Sequence, residues 1–204
     1  MRSKFFTLLF AFSAILMLAT PKAIAAPSDT DPQAGNLFPR LKFVTSHGDM
    51  IVELNRLRAP ITVANFMSYV MDGSYNNTHF HRVINDFVVQ GGGFTPDWTE
   101  LPTNETIVNE SGNGLSNKFG TLAMARQSNP HSAQRQFYFN TNDNERLDPS
   151  ARRWGYAVFG EVVENAELLR TLAAVETSSH EITGYDDVPV EPLMLIRIEL
   201  LPIE

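Results

Sequence analysis

Apolar and polar residues alternate over residues 78–84, and this period of two is typical of a β-strand with one buried face. The pair Asn85-Asp86 then favours a turn, because both side chains can bond nearby backbone groups. Residues 87–90 predict a second short strand, so the whole stretch predicts a hairpin. Glycines 91–93 follow and allow close approach of another segment. The alternation predicts two faces, one with Phe80, Arg82 and Ile84 and the other with His79, His81 and Val83.

Short apolar runs separated by turn residues predict further strands along the chain. Leu41–Thr45 and Met50–Leu54 flank a polar turn at residues 46–49, which predicts another hairpin. More strands are predicted near residues 119–125, 136–140, 155–162 and 193–200.

Helical spacing of apolar residues appears in two segments. Pro60 is a favourable first helical residue, and the helix that follows is predicted to end near Asp72-Gly73. A second helix is predicted after Asn165, whose side chain would cap it. About eight strands and two helices, without strand–helix alternation, exclude a doubly wound α/β fold and favour an antiparallel barrel with a helix at each end.

The first residues have the composition of an export signal. Arg2 and Lys4 precede an apolar run at residues 5–19, and Ala23-Ile24-Ala25 forms a small-x-small site. This pattern predicts a signal peptide over residues 1–25 with cleavage near Ala25. The alternative is a membrane anchor, but the run is short for the roughly 30 Å of a bilayer core. We therefore expect an exported, periplasmic protein without a stable membrane anchor.

Composition sets the remaining limits on domains and function. Residues 26–39 are rich in Pro, Asp, Ser and Gly and predict a flexible leader before one domain over residues 40–204. The absence of cysteine excludes disulfides and cysteine nucleophiles, and a net charge of −7 argues against nucleic acid as a partner. No Gly-x-Ser-x-Gly elbow is present, which disfavours that class of hydrolase.

The hairpin at residues 78–94 resembles the signature of the cyclophilins, which are peptidyl-prolyl cis/trans isomerases. The family pattern Phe-His-Arg-Val-Ile-x-x-Phe-x-x-Gln-Gly-Gly is matched at every specified position from Phe80 to Gly92. Similarity continues over most of residues 41–202, including Met124-Ala125 and the segment Gln136–Asn140. The resemblance implies a mainly β fold, a closed eight-stranded antiparallel β-barrel capped by two α-helices.

The resemblance also implies the chemistry, which is rotation about an Xaa-Pro bond. The barrier of about 18–20 kcal/mol comes from amide resonance, so the reaction needs no nucleophile, metal or cofactor. A donor near the prolyl nitrogen favours the twisted amide, in which the lone pair is localised. Arg82 is the candidate catalytic residue, because its guanidinium is always charged and holds its donors in a fixed fork. Gln90 would position Arg82 or bond the substrate backbone.

Matched family positions also imply the substrate-binding residues, which would hold Xaa-Pro segments of unfolded or partly folded proteins. An isolated aromatic is more often a core residue, so these assignments depend on the resemblance. The apolar floor for the proline ring would comprise Phe87, Val88, Phe137, Leu147 and Tyr156. The neighbouring groove would comprise Ala125, Arg126, Gln127 and Gln136, with Tyr138 in the wall. His81 would lie at the rim or behind the substrate-contacting residues and would not act as a general base.

Departures from the family pattern modify these expectations. Arg146 stands where many eukaryotic members have a tryptophan that helps bind cyclosporin, so weak cyclosporin binding is expected. Val88 replaces a common methionine and makes the pocket wall smaller, while Tyr138 adds a hydroxyl to that wall. A monomer is expected.

Two alternative functions stay open at this point. The spacing His79-x-His81 places two imidazoles on one strand face, where they would suit zinc or copper, although two unrelated histidines are the simpler interpretation. A module that binds Xaa-Pro segments without turnover would use the same groove, but binding alone does not need Arg82.

Overall fold

The computed structural model describes residues 31–181 and 183–203. The predicted signal peptide, its cleavage site near Ala25 and the start of the leader lie outside these residues. Within them, no helix is both long enough and apolar enough to cross a lipid bilayer.

The described residues form a mainly β structure with two α-helices, as predicted. A nine-stranded sheet has the order β3-β11-β1-β2-β8-β6-β7-β5-β4, and β9 pairs with β10 separately. Every named strand pair is antiparallel. The elements are β1 Arg40–Thr45, β2 Gly48–Leu54, α1 Pro60–Met71, β3 Thr78–His79, β4 Arg82–Ile84, β5 Val88–Gly91, β6 Thr121–Met124, β7 Phe137–Asn140, a 3-10 turn Glu145–Leu147, β8 Val158–Glu164, α2 Leu168–Ala173, β9 Thr177–Ser178, β10 Val188–Pro189 and β11 Met194–Leu200.

The closed eight-stranded barrel is not confirmed, because the sheet has nine strands and an open hydrogen-bonding order. Its two edge strands, β3 and β4, are separated in the chain only by Phe80 and His81. The predicted strand over residues 78–84 is therefore interrupted. Its first part pairs with β11 and its second part with β5.

The alternation predicted that Phe80 and Arg82 lie on the same face, but in the structure they lie on different faces. The N–H of Phe80 donates to the carbonyl of Leu193, and its ring is fully buried against Phe137 and Phe139. Arg82 remains partly exposed. The interruption of the strand changes the direction of the side chains, because period-two alternation holds only within continuous extended backbone.

Helix α1 starts and ends where the sequence predicted, and it packs Phe66 into an aromatic core. That ring lies 5.4 Å from Phe137 and 5.1 Å from Phe159, measured between ring centroids. The predicted cap of α2 is wrong. Asn165 instead donates from its side-chain amide to the carbonyl of Asp49, and the helix begins at Leu168.

Two contacts attach residues 31–39, the described part of the predicted leader, to the domain. Asp31 Oδ2 lies 2.7 Å from Arg56 Nη2, and these side chains are only 8% and 11% exposed. The side-chain amide of Gln33 donates to the carbonyl of Leu201 at 2.7 Å. The ion pair and the amide fix this segment between the loop after β2 and the end of β11.

We predict that Asp31→Asn lowers the free energy of unfolding by about 2 kcal/mol, because it leaves the buried Arg56 guanidinium without its counter-charge. Urea denaturation measures the change. The control is Asp49→Asn, which removes a more exposed pair with Lys42 and should cost less than about 1 kcal/mol. Equal small losses for both variants would contradict the anchoring role of Asp31.

Candidate functional site

Pleating divides the side chains of β4, β5, β7 and β6 between two faces. Directly opposed residues point to the same side, and the opposed pairs include Arg82 with Gln90, Gln90 with Tyr138, and Tyr138 with Ala123. Val88 lies two residues before Gln90 and shares its face. Arg82 is thereby placed on the face that carries the predicted pocket residues.

Arg82 has one ionic neighbour on this face among the described residues. Its Nε atom lies 3.7 Å from Oδ2 of Asp187, and both side chains are 40% exposed. The backbone at Asp187 is also fixed, because its carbonyl accepts the N–H of Val83 at 2.8 Å. The loop before β10 is thus attached to β4 beside the candidate catalytic arginine.

Gln136 is the centre of a polar network beside Arg82. Its Oε1 accepts a hydrogen bond from Nε2 of Gln90 at 2.9 Å, and its side chain also bonds His81. Gly93 makes room for it, since a Cβ at that position would lie 2.5 Å from Gln136 Nε2. Gln90 therefore positions Gln136, and the structure describes no direct bond from Gln90 to Arg82.

His81 lies in the buried wall of the site. It is 6% exposed, and its Nδ1 atom has no hydrogen-bond partner in the part of the chain described. Burial, followed by the charges of His79 and Arg82, lowers the pKa of His81 to about 3. The imidazole is therefore neutral at physiological pH.

Most of the predicted pocket residues meet in a small apolar cluster on the site face. Val88, Tyr138, Ala123 and Val158 are its buried members. Partly buried residues packed against it are Phe87, Leu115, Ala125, Leu147 and Tyr156. Leu115, Ala123 and Val158 were missed, because no spacing in the sequence connects them with the motif.

Phe137 does not belong to this pocket. It is fully buried in the main core, where its ring contacts those of Phe43, Phe66 and Tyr75. The reason is the alternation along β7, which sends Phe137 and Phe139 to the core and Tyr138 to the site face.

The hydroxyl of Tyr138 is not available to substrate, contrary to the expectation that it adds a polar group to the pocket wall. It donates to Oδ1 of Asn117 at 2.8 Å. Asn117 is fixed in turn, because its backbone N–H and its side-chain amide both donate to Oδ1 of Asp148. This network beneath the pocket was not predicted, since Asn117 comes from a distant loop.

Two arginines lie over the aromatic rings of the apolar pocket. The guanidinium carbon of Arg146 is 4.3 Å from the ring centroid of Phe87. The same atom of Arg126 is 4.5 Å from the ring centroid of Tyr156, and Arg126 Nη2 also donates to the carbonyl of Trp154. Both arginines were predicted to lie in the substrate region, and their positive charge lies at the pocket edge.

Two concave regions adjoin this face and share Gln90 and Gln136. The smaller, about 150 Å³, brings together the predicted groove residues Ala125, Arg126, Gln127 and Gln136. The larger, about 440 Å³, lies beside Arg82 and is also lined by Phe94, Tyr185, Asp186 and Asp187. No pattern in the sequence predicted this second cavity.

The two histidines considered as metal ligands are both buried and contact each other, with ring centroids 6.1 Å apart. Within residues 31–181 and 183–203, no cluster of three or more His, Cys, Asp or Glu side chains could hold a metal ion.

Known proteins of one family resemble this chain over most of its length. The model for cyclophilin type peptidyl-prolyl cis-trans isomerase/CLD matches residues 40–200. The chain is 46% identical over 160 residues to peptidyl-prolyl cis-trans isomerase cyp18 of Streptomyces antibioticus, covering 77% of this chain and 95% of that protein. It is also 46% identical over 156 residues to peptidyl-prolyl cis-trans isomerase B of Escherichia coli K12, covering 75% and 94%.

Solved structures show the same fold at lower identity. A cyclophilin type peptidyl-prolyl cis-trans isomerase of Cryptosporidium parvum, crystallised in the presence of the dipeptide Ala-Pro, superposes with a TM-score of 0.66 at 24% identity. That match covers 80% of this chain and 99% of the other.

We predict that the buried His81 makes folding stability depend on pH. Its pKa of about 3 in the folded state lies below the roughly 6.5 of an unfolded histidine, so the unfolded chain takes up the proton first as the pH falls. Stability is then complete above about pH 6.5 and is lost progressively toward pH 3. Between pH 7 and pH 5 the loss from His81 is about 2 kcal/mol.

Urea denaturation at the two pH values, with His81→Gln as the variant, measures this term. The variant should lose most of the difference, while His79, whose pKa burial also lowers, contributes a remainder. Phe159→Leu, which changes a fully buried ring that packs on Phe66 in the main core, is the control and should destabilise equally at both pH values. An undiminished pH difference in His81→Gln would refute the assignment.

Proposed function

The chain belongs to the cyclophilin-type peptidyl-prolyl cis-trans isomerases, and from this premise we propose that Arg82 stabilises the twisted Xaa-Pro amide in client proteins. The observation that carries the proposal is the placement of Arg82 on the face of the β4–β5 pair that also carries the apolar pocket. A proline ring in that pocket brings its nitrogen toward the guanidinium.

The ionic contact of Arg82 leaves it available to substrate. Its 3.7 Å separation from Asp187 is longer than the roughly 2.8 Å of a tight charge-assisted hydrogen bond. The guanidinium therefore retains donors for a prolyl nitrogen whose lone pair is localised by twisting. That interaction is absent from the planar amide, so it lowers the barrier and does not merely strengthen binding.

The apolar pocket supplies the complementary contact for the proline ring. Phe87, Leu147 and Tyr156 are partly exposed around buried Val88 and Tyr138, which gives an apolar floor with an open side. The groove at Ala125, Gln127 and Gln136 then receives the flanking backbone. Binding of an Xaa-Pro unit is supported by the Ala-Pro dipeptide named for the Cryptosporidium relative.

The proposed clients are unfolded or partly folded exported proteins. Uncatalysed rotation takes tens to hundreds of seconds, so a folding chain benefits from acceleration. The export proposal rests on the sequence pattern of residues 1–25. A monomer is proposed as well, since the site is formed within one chain.

A module that binds proline segments without turnover is the competing function. It would use the same pocket, but it would not require a half-exposed guanidinium beside the bound proline nitrogen. The rate of exchange between cis and trans peptide separates the two functions, whereas binding affinity alone does not.

We predict that Arg82→Ala lowers the catalysed exchange rate of a short Xaa-Pro peptide about 100- to 1,000-fold, the usual effect of removing one preorganised donor. NMR exchange spectroscopy measures the rate, and chemical-shift titration measures binding, which should weaken much less. Arg82→Lys keeps the charge but not the fork and should be intermediate.

Arg152→Ala is the matched control, because Arg152 is exposed and lies outside the cavity and groove linings. It should retain the wild-type rate. If Arg82→Ala is folded and exchanges the peptide at the wild-type rate, the catalytic role of Arg82 is wrong. If the wild-type protein binds the peptide without accelerating exchange, the competing function is correct.

We predict weak inhibition by cyclosporin, because a charged guanidinium covers Phe87 where an indole would offer an apolar surface. Arg146→Trp should strengthen inhibition about tenfold through added aromatic contact. Arg152→Trp, at an exposed arginine whose printed hydrogen bond comes from its backbone N–H, is the control and should change inhibition little. Submicromolar inhibition of the wild-type enzyme would contradict the prediction.

A further inference from the structure

The cavity of about 440 Å³ beside Arg82 is not used by the proposed catalytic step. It adjoins the groove proposed for the flanking substrate backbone, because Gln90 and Gln136 line both the cavity and that groove. An extended peptide with its proline in the pocket therefore reaches this cavity with a residue on one side of the proline.

The cavity wall combines carboxylates with aromatic rings. Asp186 and Asp187 lie on it together with Tyr185, which is 49% exposed, and Phe94, whose ring centroid is 6.0 Å from that of Tyr185. Oδ1 of Asp186 accepts a hydrogen bond from Ser179, which fixes the carboxylate. Carboxylates beside aromatic faces form a favourable environment for an organic cation.

The remaining wall groups do not cancel the negative charge. Among the described residues of the lining, Arg82 is the only cation and is paired with Asp187, so Asp186 contributes an uncompensated carboxylate. His81 lines the inner wall and is nine-tenths buried, with an unpartnered Nδ1 atom. Because burial keeps the imidazole neutral, it adds no repulsion toward a cation.

The opposite side of the site has the reverse charge. Arg126 and Arg146 lie over the rings of the apolar pocket, so a basic residue of the substrate is repelled there. The site is consequently polarised across Arg82, with positive charge at the proline pocket and negative charge at the cavity.

We propose that the cavity lined by Tyr185, Asp186 and Asp187 binds a lysine or arginine side chain of the client, located on one side of the proline only. This inference rests on the proposed function and specifies its substrate class. An ammonium or guanidinium group in the cavity pairs with Asp186 and contacts the face of Tyr185, while its alkyl chain packs against Phe94.

The test uses a series of short peptides, each with a single Ala-Pro bond and one variable residue. The variable residue occupies a different position in each peptide of the series, from the third before the bond to the third after it. Lys, Gln, Leu and Glu are compared at each position by NMR exchange. On one side of the proline, Lys peptides should be isomerised about three- to tenfold more efficiently than Gln peptides, the effect of one exposed ion pair and one cation–π contact. Glu peptides should be the slowest there.

Two variant proteins are used. One carries Asp186→Asn alone, and the double variant carries Asp186→Asn together with Asp187→Asn. At position 186, asparagine can still accept the hydrogen bond from Ser179. At position 187, the substitution could change Arg82 and alter the rate for every peptide, but such a general effect cancels in the ratio of the Lys rate to the Gln rate. The ratio should approach one in the double variant and also at high salt, where screening shortens the Debye length to about 3 Å at 1 M. Glu167→Gln removes an equal charge from an exposed position before α2 and should retain the preference.

The outcomes separate this inference from the proposed function. Equal rates for Lys and Gln peptides at every position, with turnover intact, would overturn the cavity proposal and leave the isomerase function standing. So would a Leu preference, or a Lys preference that survives in the double variant. Absence of catalysed exchange for every peptide would overturn both.

Discussion

The pleat of four adjacent strands determines both the core and the site of this protein. On β4, β5, β7 and β6, alternate side chains enter the aromatic core or the apolar pocket. A slip of one residue in the register of β7 would exchange Phe137 with Tyr138 and bury the polar hydroxyl among the core rings. Burial of the apolar side chains in the core fixes the register of these strands. The same register therefore fixes the face on which Arg82 and Gln90 lie opposite each other.

Close packing around the glycines strengthens this constraint. A Cβ at Gly91 would lie 2.8 Å from the ring of Phe80, and one at Gly93 would meet the amide of Gln136. Phe80 therefore occupies the core directly beneath β5, while Gln136 reaches Gln90 and His81 above it. The two residues between β3 and β4 then have different roles. Phe80 packs its ring in the core, and the next residue, His81, forms part of the wall of the site.

The sequence motif predicted the residues on the candidate site face more completely than it predicted the contacts beneath that face. Arg82, Gln90 and most of the apolar cluster were named because they lie close together in the chain or match a long pattern. The sequence did not predict the contact of Asn117 with Tyr138 or the ion pair of Asp31 with Arg56. Both contacts join distant segments, and neither produces a periodic pattern in the sequence. The role of Phe137 was predictable in principle, since alternation along β7 places it on the core side.

The chemistry of the site explains why its polar groups can be committed to structure. Rotation about an amide transfers no proton, so a neutral, buried His81 and an amide network through Gln136 cost nothing in catalysis. The groups that remain free to act on substrate are charged and lie at the surface of the site. Arg82 separates a positive edge at Arg126 and Arg146 from the carboxylates of Asp186 and Asp187. In the proposed mechanism, catalysis depends on the charge of Arg82 at this boundary, and the proposed substrate selection depends on the charges on either side of it.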